Sequence, residues 1–572
     1  MDDTLSADVV IVGSGVAGSL IAHQLSMSGA SVLMLEAGPD VPRWRIVENY
    51  RNNPAKDDNM RPYPHSRIAP HPEYKAYAYT PPPKVANEPA GQLDRSTGPS
   101  SGVKPDPAIP YQEGNGYLIL KGPDARTYAQ QYIRWVGGTT WHWAAATWRF
   151  LPNDFRLKTL YGVGRDWPIR YEDLEPYYHL AEMELGCSGP NDGTDLGSPR
   201  SHPYPMDALP LSYNDQSFRD ALNPNGFKVV AEPVGRNSVP YDGRPTCCGN
   251  NTCMPICPIG AMYNGVVHVR KAQRAGTRLI AGAVVYRVEI GDGNRVSAVH
   301  YKDGDGASHR VTGKHFVLAA NGIETPKLLL FSADDGHPRG VANSSDQVGR
   351  NMMDHPGTGV TFLAEGDLWP GRGSMEMTSV VNFRDGPFRS DYAGKKLHLN
   401  NGSQVRHATL KALSMGLTGA RLEHEIRYRS AHTVNINSFH EILPNPQNRL
   451  VLSKDRKDAL GIPQPEITYD VGEYVRRSAV HTHESYARIA QLMGGREVKF
   501  DDSFAPNNHI MGGVIMGADP NDSVVDAQCR THDHENLYLA ASGVMASAGT
   551  VNCTLTLSAL SLRIADALKS AA

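Results

Sequence analysis

The sequence predicts an α/β protein whose main domain is a doubly wound, Rossmann-like sheet assembled from discontinuous stretches of chain. Three observations lead there. Residues 8–36 read strand, glycine turn, helix, strand. Two late segments, 314–332 and 535–568, again read strand, turn, helix. The chain has 572 residues, long enough for more than one hydrophobic core.

The first unit is DVVIVGSGVAGSLIAHQLSMSGASVLMLEAG. Residues 8–12 and 31–35 are short apolar runs, and helical periodicity fills the space between them. Gly13, Gly15 and Gly18 form GxGxxG: the first for the tight turn, the second for backbone approach to a pyrophosphate, the third for helix–strand packing. The helix N-terminus adds free N–H groups and positive dipole. Glu36 closes the second strand where a carboxylate binds the adenosine ribose hydroxyls. A bare glycine triplet can be a loop that merely turns; the strand, helix and acid around it point to a dinucleotide. The motif does not separate flavin from nicotinamide.

Next comes a change of texture. TPPPKVANEPAGQLDRSTGPSSGVKPDPAIP is rich in Pro, Gly and Ser and nearly free of large apolar residues, so 75–112 reads as an irregular insertion without a core of its own. Residues 151–224 and 335–499 mix helix and strand patterns with many aromatics and no repeat, which suits a substrate-covering domain. The remaining segments, 1–150, 225–334 and 500–572, are assigned to the nucleotide-binding domain.

Composition excludes some functions. Apolar residues make up 40%, charged residues 20%, and the net charge is −3 without a basic run, so no nucleic acid partner is expected. No apolar stretch reaches 18 residues, and the chain enters its first strand without a basic leader and apolar h-region. Four of the seven cysteines, Cys247, Cys248, Cys253 and Cys257, crowd into one loop, RPTCCGNNTCMPICPIGAMYNG. The odd total and the tight cluster argue against a disulfide framework.

Beyond the glycine turn, GGTTWHWAAATWRF (137–150), NGIETPKLLLFS (321–332), VGRNMMDHP (348–356) and NHIMGGVIMG (508–517) resemble the glucose–methanol–choline (GMC) family of FAD oxidoreductases. YGVGRDWP, the cysteine loop and FAPNNHI are closest to one branch, the large catalytic subunits of bacterial membrane-bound sugar dehydrogenases. LKALSMGL and NRLVLSKDRKDALGIPQPEITYDVGEYVRRSA look most like its fructose-oxidising members, with glucose-, sorbitol- and gluconate-oxidising members as alternatives. The likeness covers the chain except about 75–112. Two departures stand out: Gly512–Gly513 replaces the usual Gly–Thr, and ADDG follows TPKLLLFS in place of a glycine-rich ending.

The resemblance implies a second, α+β substrate domain on a mainly antiparallel sheet, FAD as cofactor, and oxidation of a hydroxyl. It makes His509 the catalytic base and Asn552 its partner on the same substrate oxygen, with Asn508 a substrate contact. An imidazole suits the first role because it accepts a proton near neutrality; by itself His509 is one of 22 histidines and Asn552 a helix cap. Gly137 and Gly138 bring backbone close to the flavin. His142 stands where some relatives bond the flavin covalently, or packs between Trp141 and Trp143.

For the cysteines, zinc and disulfides are the alternatives to an iron–sulfur cluster. Adjacent Cys247 and Cys248 grip one tetrahedral ion poorly, and a Cys–Pro ending resembles ferredoxin loops. By resemblance the cluster is 3Fe-4S, held by Cys247, Cys253 and Cys257, with Cys248 the least certain ligand. The resemblance further implies a dehydrogenase rather than an oxygen-using oxidase. Its partners would be a small signal-bearing subunit and a multihaem cytochrome c subunit. It would lie on the periplasmic face of the inner membrane, attached only through those partners.

Overall fold

A computed structural model describes residues 5–53, 60, 62–63, 69, 71–72, 116–501 and 503–571. The 75–112 insertion lies outside the described residues.

The strands Leu5–Val12 and Val32–Glu36 pair in parallel through Val9–Val12 and Val32–Leu35, with helix Val16–Met27 crossing between them. Residues 9–12 and 32–36 are buried throughout, which explains why they read as unbroken apolar runs rather than alternating ones. Ser308–Leu318 lies parallel on the other side of the first strand, and Leu537–Leu539 lies parallel beside it. Arg278–Ala281 extends the far edge, and an antiparallel meander of Val284–Ile290 and Val296–Lys302 completes seven strands. One sheet therefore gathers residues from both ends and the middle of the chain, as expected for a domain in discontinuous segments.

The second sheet has six strands, all antiparallel, in the order Arg496–Phe500, Gly359–Leu363, Thr433–His440, Lys395–Leu399, Thr378–Val380 and Val229–Ala231. Its strands alternate in the way a sheet with two different faces must. Leu397, Leu399, Val434 and Ile436 join a core with Val360, Phe362 and Ile489. The residues between them, His398, Asn437 and Phe439, face the other way, into a cavity.

Two pieces of chain cross the boundaries drawn from the sequence. Val229–Ala231 was grouped with 225–334 in the nucleotide-binding domain, yet it pairs with Thr378–Val380 as the edge of the second sheet. Helix Tyr171–Leu185 was grouped with the substrate domain, yet its Leu174, Tyr178, Ala181 and Leu185 share the first core with the C-terminal helix Thr554–Ala571. Tyr178 and Thr556 hydrogen-bond across that contact at 2.8 Å. Polarity patterns mark which face of an element is buried, not which sheet buries it.

Candidate active site

The glycine turn is built as its spacing predicts. Gly13 holds φ +104°, and a side chain there would lie 2.5 Å from the Ala319 carbonyl. A Cβ on Gly18 would strike the Gly13 carbonyl at 2.1 Å. At Gly15, which caps the helix, a Cβ would meet nothing within 4 Å. The first and third glycines are therefore required by the fold, while the space before Gly15 is kept open. Glu36 is buried in the same wall, and burial raises its carboxyl above the usual range. Its oxygens accept from the Ser14 backbone at 2.9 Å, the Ser14 hydroxyl at 2.6 Å and the Gly38 backbone at 3.0 Å. Glu36 thus braces the turn as well as lining the cleft.

Two cavities meet at this turn. The first, about 150 Å³, runs from Gly13 and Glu36 past Arg134, Glu324 and Lys327. The second, about 450 Å³, is walled by His142, Trp143, Glu376, His398, Asn508, His509 and Asn552. Gly15, Thr139, Ala319 and Asn321 line both. Gly138 (φ +63°) sets its backbone against Gly15: a Cβ there would lie 2.9 Å from the Gly15 Cα. Gly137 (φ +97°) is equally crowded, by the Trp141 indole and the Val266 backbone nitrogen. Gly138 thus lines the smaller cavity against Gly15, which borders both.

His142 is buried, and burial pushes its imidazole down to about 4. Its Nε2 has no hydrogen-bond partner and the residue lines the larger cavity. A buried polar atom left open toward a cavity fits a site shaped for a bound group. Its ring neighbour is Tyr63, at 5.8 Å between centroids; the flanking Trp141 and Trp143 indoles donate to the Val136 and Tyr263 carbonyls.

His509 and Asn552 come together. Asn552 Nδ2 lies 3.0 Å from His509 Nε2, although the residues are 43 apart in sequence. Their neighbours fix the protons. His355 Nε2 faces the Ala548 and Gly549 carbonyls at 3.1 and 3.0 Å, acceptors only, so this nitrogen carries the hydrogen. In neutral His355 the other nitrogen, Nδ1, is then an acceptor, and it lies 2.8 Å from His509 Nδ1. His509 must donate there, which leaves its Nε2 as a lone pair directed at the Asn552 amide. Lys396 Nζ donates to Asn552 Oδ1 at 3.2 Å, so the amide presents its NH₂ to the histidine. Lys396 is itself paired with Glu232 at 2.8 Å, both fully buried.

Burial, with His355 and Lys396 nearby, holds the His509 imidazole well below its ordinary value. The histidine is neutral at neutral pH and its Nε2 can accept a proton. Asp354 holds the loop in place: its carboxylate accepts from the backbone N–H groups of His355, Asn507 and His509 and from the Gln130 amide. Asn508, at φ +59°, lines the cavity while its Oδ1 accepts from the Gln131 backbone at 2.7 Å. The substitution at 512–513 has a local reason. Gly513 has φ +90°, which disfavours the β-branched threonine usual there.

Sequence reasoning passed over Asp354, His355, Lys396, Glu376 and His398. Asp354 and His355 lie inside the quoted phrase VGRNMMDHP, and the adjacent acid and imidazole were the available signal. Nothing local marks Lys396 or Glu376.

The cysteine loop abuts the larger cavity. Cys253 and Cys257 are buried, Cys247 is half-buried and Cys248 is exposed. The first three gather with Ala145, Ala261, Met262, Trp143 and Met375, and Trp143 and Ala145 also wall the cavity. Burial raises the Cys253 thiol and the Arg236 guanidinium beside it opposes that rise. The loop is pinned by Asn251, whose amide donates to the Gly373 and Asn401 carbonyls. Cys247, Cys253 and Cys257 thus share one apolar shell, while Cys248 is turned outward.

Residues 207–357 and 444–561 match the GMC oxidoreductase family, and residues 11–53 match an NAD(P)-binding Rossmann-like domain. Over 573 residues the chain is 53% identical to the fructose dehydrogenase large subunit of Gluconobacter japonicus, covering 99% of this chain and 98% of that one. This chain belongs to the GMC oxidoreductase family. It is an FAD-dependent oxidoreductase acting on CH–OH donors. It is also 26% identical to 2-methyl-1,2-propanediol dehydrogenase of Mycolicibacterium austroafricanum, over 98% of this chain and 94% of that one. To the gluconate 2-dehydrogenase flavoprotein of Pantoea cypripedii it is 22% identical, over 98% and 93%. The crystal structure of pyridoxine 4-oxidase from Mesorbium loti shares the fold, with TM-score 0.62 at 18% identity, covering 98% of this chain and 99% of that one. The glycine turn and the two cavities that meet at it form one extended cleft, with the His509–Asn552 pair in the wall of its larger part.

Proposed function

We propose that the protein is the catalytic large subunit of a sugar dehydrogenase that oxidises a hydroxyl of a hexose or related polyol. The leading reading is a D-fructose 5-dehydrogenase-like activity. The observation that carries the reaction is the hydrogen-bonded series His355–His509–Asn552–Lys396, which leaves one lone pair and one N–H donor side by side in the cavity. A substrate hydroxyl placed between them would donate to His509 Nε2 and accept from Asn552 Nδ2, replacing their mutual bond. The histidine then takes the hydroxyl proton while the amide steadies the oxygen as charge develops on it. Bound FAD supplies the hydride acceptor. Gly13, Gly15 and Gly18 would hold its pyrophosphate, Glu36 its ribose, and Gly137, Gly138 and His142 would face its ring. The substrate class rests on the 53% identity to a fructose dehydrogenase large subunit.

Cys247, Cys253 and Cys257 would hold a 3Fe-4S cluster, whose chemistry when bound is one-electron transfer toward a haem c partner. Trp143 lies between cavity and thiols, in keeping with that role. A multihaem cytochrome c subunit and a small signal-bearing subunit would complete the enzyme at the periplasmic face of the inner membrane. No helix among the described residues is long and apolar enough to cross a membrane.

Dye-linked turnover on a panel of hexoses, polyols and aldonates tests the substrate, with fructose expected to lead. Iron analysis tests the cluster. Wild-type protein should contain iron, Cys253→Ser should lose it while keeping sugar-dependent flavin bleaching, and Cys248→Ser should retain it. Wild-type protein holding zinc in place of iron would refute the cluster.

A further inference from the structure

The cavity beside His509 has an uneven chemistry. Its walls carry one carboxyl side chain, Glu376, and no lysine or arginine among the described residues. Its three histidines are neutral: burial pushes His142 and His398 down to about 4 and holds His509 well below its usual value. Two cations stand behind the walls: Lys396, which bonds Asn552 and is committed to Glu232, and Arg236, which bonds the Ala144 carbonyl.

Glu376 itself is held in an unusual way. Its backbone has φ +49°, the left-handed region that non-glycine residues occupy only at a cost. It stands two residues before the strand Thr378–Val380. On that strand Ser379 is the cross-strand partner of His398, and His398 is in turn the partner of Asn437. These neighbours form one polar strip across the sheet face opposite its apolar core, with Asn400 at its margin. The His398 ring lies 4.0 Å from the Glu376 carboxylate, beyond a hydrogen bond, and its own Nδ1 is buried without a partner. The charges facing Glu376 are Glu232, which opposes its ionisation, and Lys396 and Arg236, which favour it; burial outweighs both and raises the carboxyl to about 7.

We propose that Glu376, with His398, Asn400 and Asn437, is the substrate-recognition strip of this enzyme and that it selects neutral polyhydroxylated substrates over sugar acids. The inference rests on the sugar-oxidising reading above. A carboxylate accepts hydrogen bonds from sugar hydroxyls, and a protonated carboxyl donates to them; in either state it gives a hexose or polyol a partner. In neither state does it balance an anion. An aldonate would enter a cavity with no lysine or arginine on its walls among the described residues, and leaving a charge unpaired there is costly. Uncharged amides complete the strip and can serve hydroxyls of either orientation.

The test is steady-state, dye-linked kinetics of the holoenzyme on D-fructose, D-sorbitol, D-glucosamine and D-gluconate, for wild type and Glu376→Gln, with FAD content checked by absorbance. Wild type should prefer the best neutral substrate to gluconate by at least about a hundredfold in kcat/KM, while glucosamine, whose ammonium a carboxylate can pair, should be disfavoured less than gluconate. Glu376→Gln should raise KM for that neutral substrate by roughly ten- to a hundredfold with little change in kcat, and should narrow the gap to gluconate. A structural role alone would lower flavin content or kcat instead. Gluconate used as well as the neutral sugars by wild type, or glucosamine rejected as strongly as gluconate, would overturn the selectivity. Unchanged KM and preference in Glu376→Gln, with sugars still oxidised, would overturn the role of Glu376 while leaving the sugar reading intact. No turnover on any sugar, polyol or aldonate would refute that reading and the substrate class with it.

Discussion

The two ends of the cofactor cleft are made differently. The glycine-turn end is organised by one short segment: Gly13, Gly15 and Gly18 lie in one turn, and Glu36, on the next strand, braces it through Ser14, with Arg134, Glu324 and Lys327 completing the wall. The alcohol end brings Glu376, His398, Asn437, His509 and Asn552 together from distant positions. At the first end function is carried by missing side chains and backbone direction. At the second it is carried by protonation states that each residue's neighbours impose. A motif can specify the former, whereas the latter exists only once the chain has folded.

The largest expected effect lies at the assembled end. His509→Ala removes the Nε2 acceptor and should cut sugar-dependent flavin reduction by about 10²–10⁴-fold while FAD stays bound. Stopped-flow bleaching measures it, and a near-wild-type rate would show that another group takes the proton.

A smaller loss should follow from Lys396→Met, which touches no substrate but removes the donor that orients the Asn552 amide. Losing one such charge-assisted bond costs about 1.5–3 kcal/mol, roughly ten- to a hundredfold. The loss should fall on kcat more than KM. It should come with some destabilisation, because Glu232 is left buried without its cation. An equal fall in both His509→Ala and the double variant would confirm that the lysine acts through the pair.

The glycine-turn end offers a contrast within one turn. Gly18→Ala must move the Gly13 carbonyl from 2.1 Å and should lower thermal stability by about 1–3 kcal/mol. Gly15→Ala meets no protein atom within 4 Å, so the apoprotein should melt as wild type does yet purify with much less FAD. Full flavin content in Gly15→Ala would move the pyrophosphate elsewhere.

The mildest test is pH. A free imidazole would be half protonated near 6.5, but burial lowers the His509 value, so the neutral, proton-accepting form should persist as pH falls through about 6.5. Dye-linked kcat should hold there and decline only at lower pH. Half-loss close to 6.5 would mean that the base is solvated like an exposed histidine.

Much of this protein was legible before folding. The glycine turn follows from short-range rules: a side chain on Gly13 or Gly18 collides with backbone already in place, so the residue type announces the geometry. Buried parallel strands announced themselves as apolar runs for the same reason. His509 and Asn552 were found through family phrases, since one histidine among 22 carries no local signature, whereas the cysteines stood out by crowding four of seven into one loop. Which nitrogen of His509 is the base depends on carbonyls at 548 and 549 acting through His355. The strand Val229–Ala231 joined the second sheet because Thr378–Val380 was there to accept it. The uncharged walls around Glu376 arise where two sheets and several loops close on one space. Sequence alone determined the local backbone, where a clash or a bare glycine decides. Tertiary structure decided charge, tautomer and selectivity, because desolvation and hydrogen-bond partners come from residues far away along the chain.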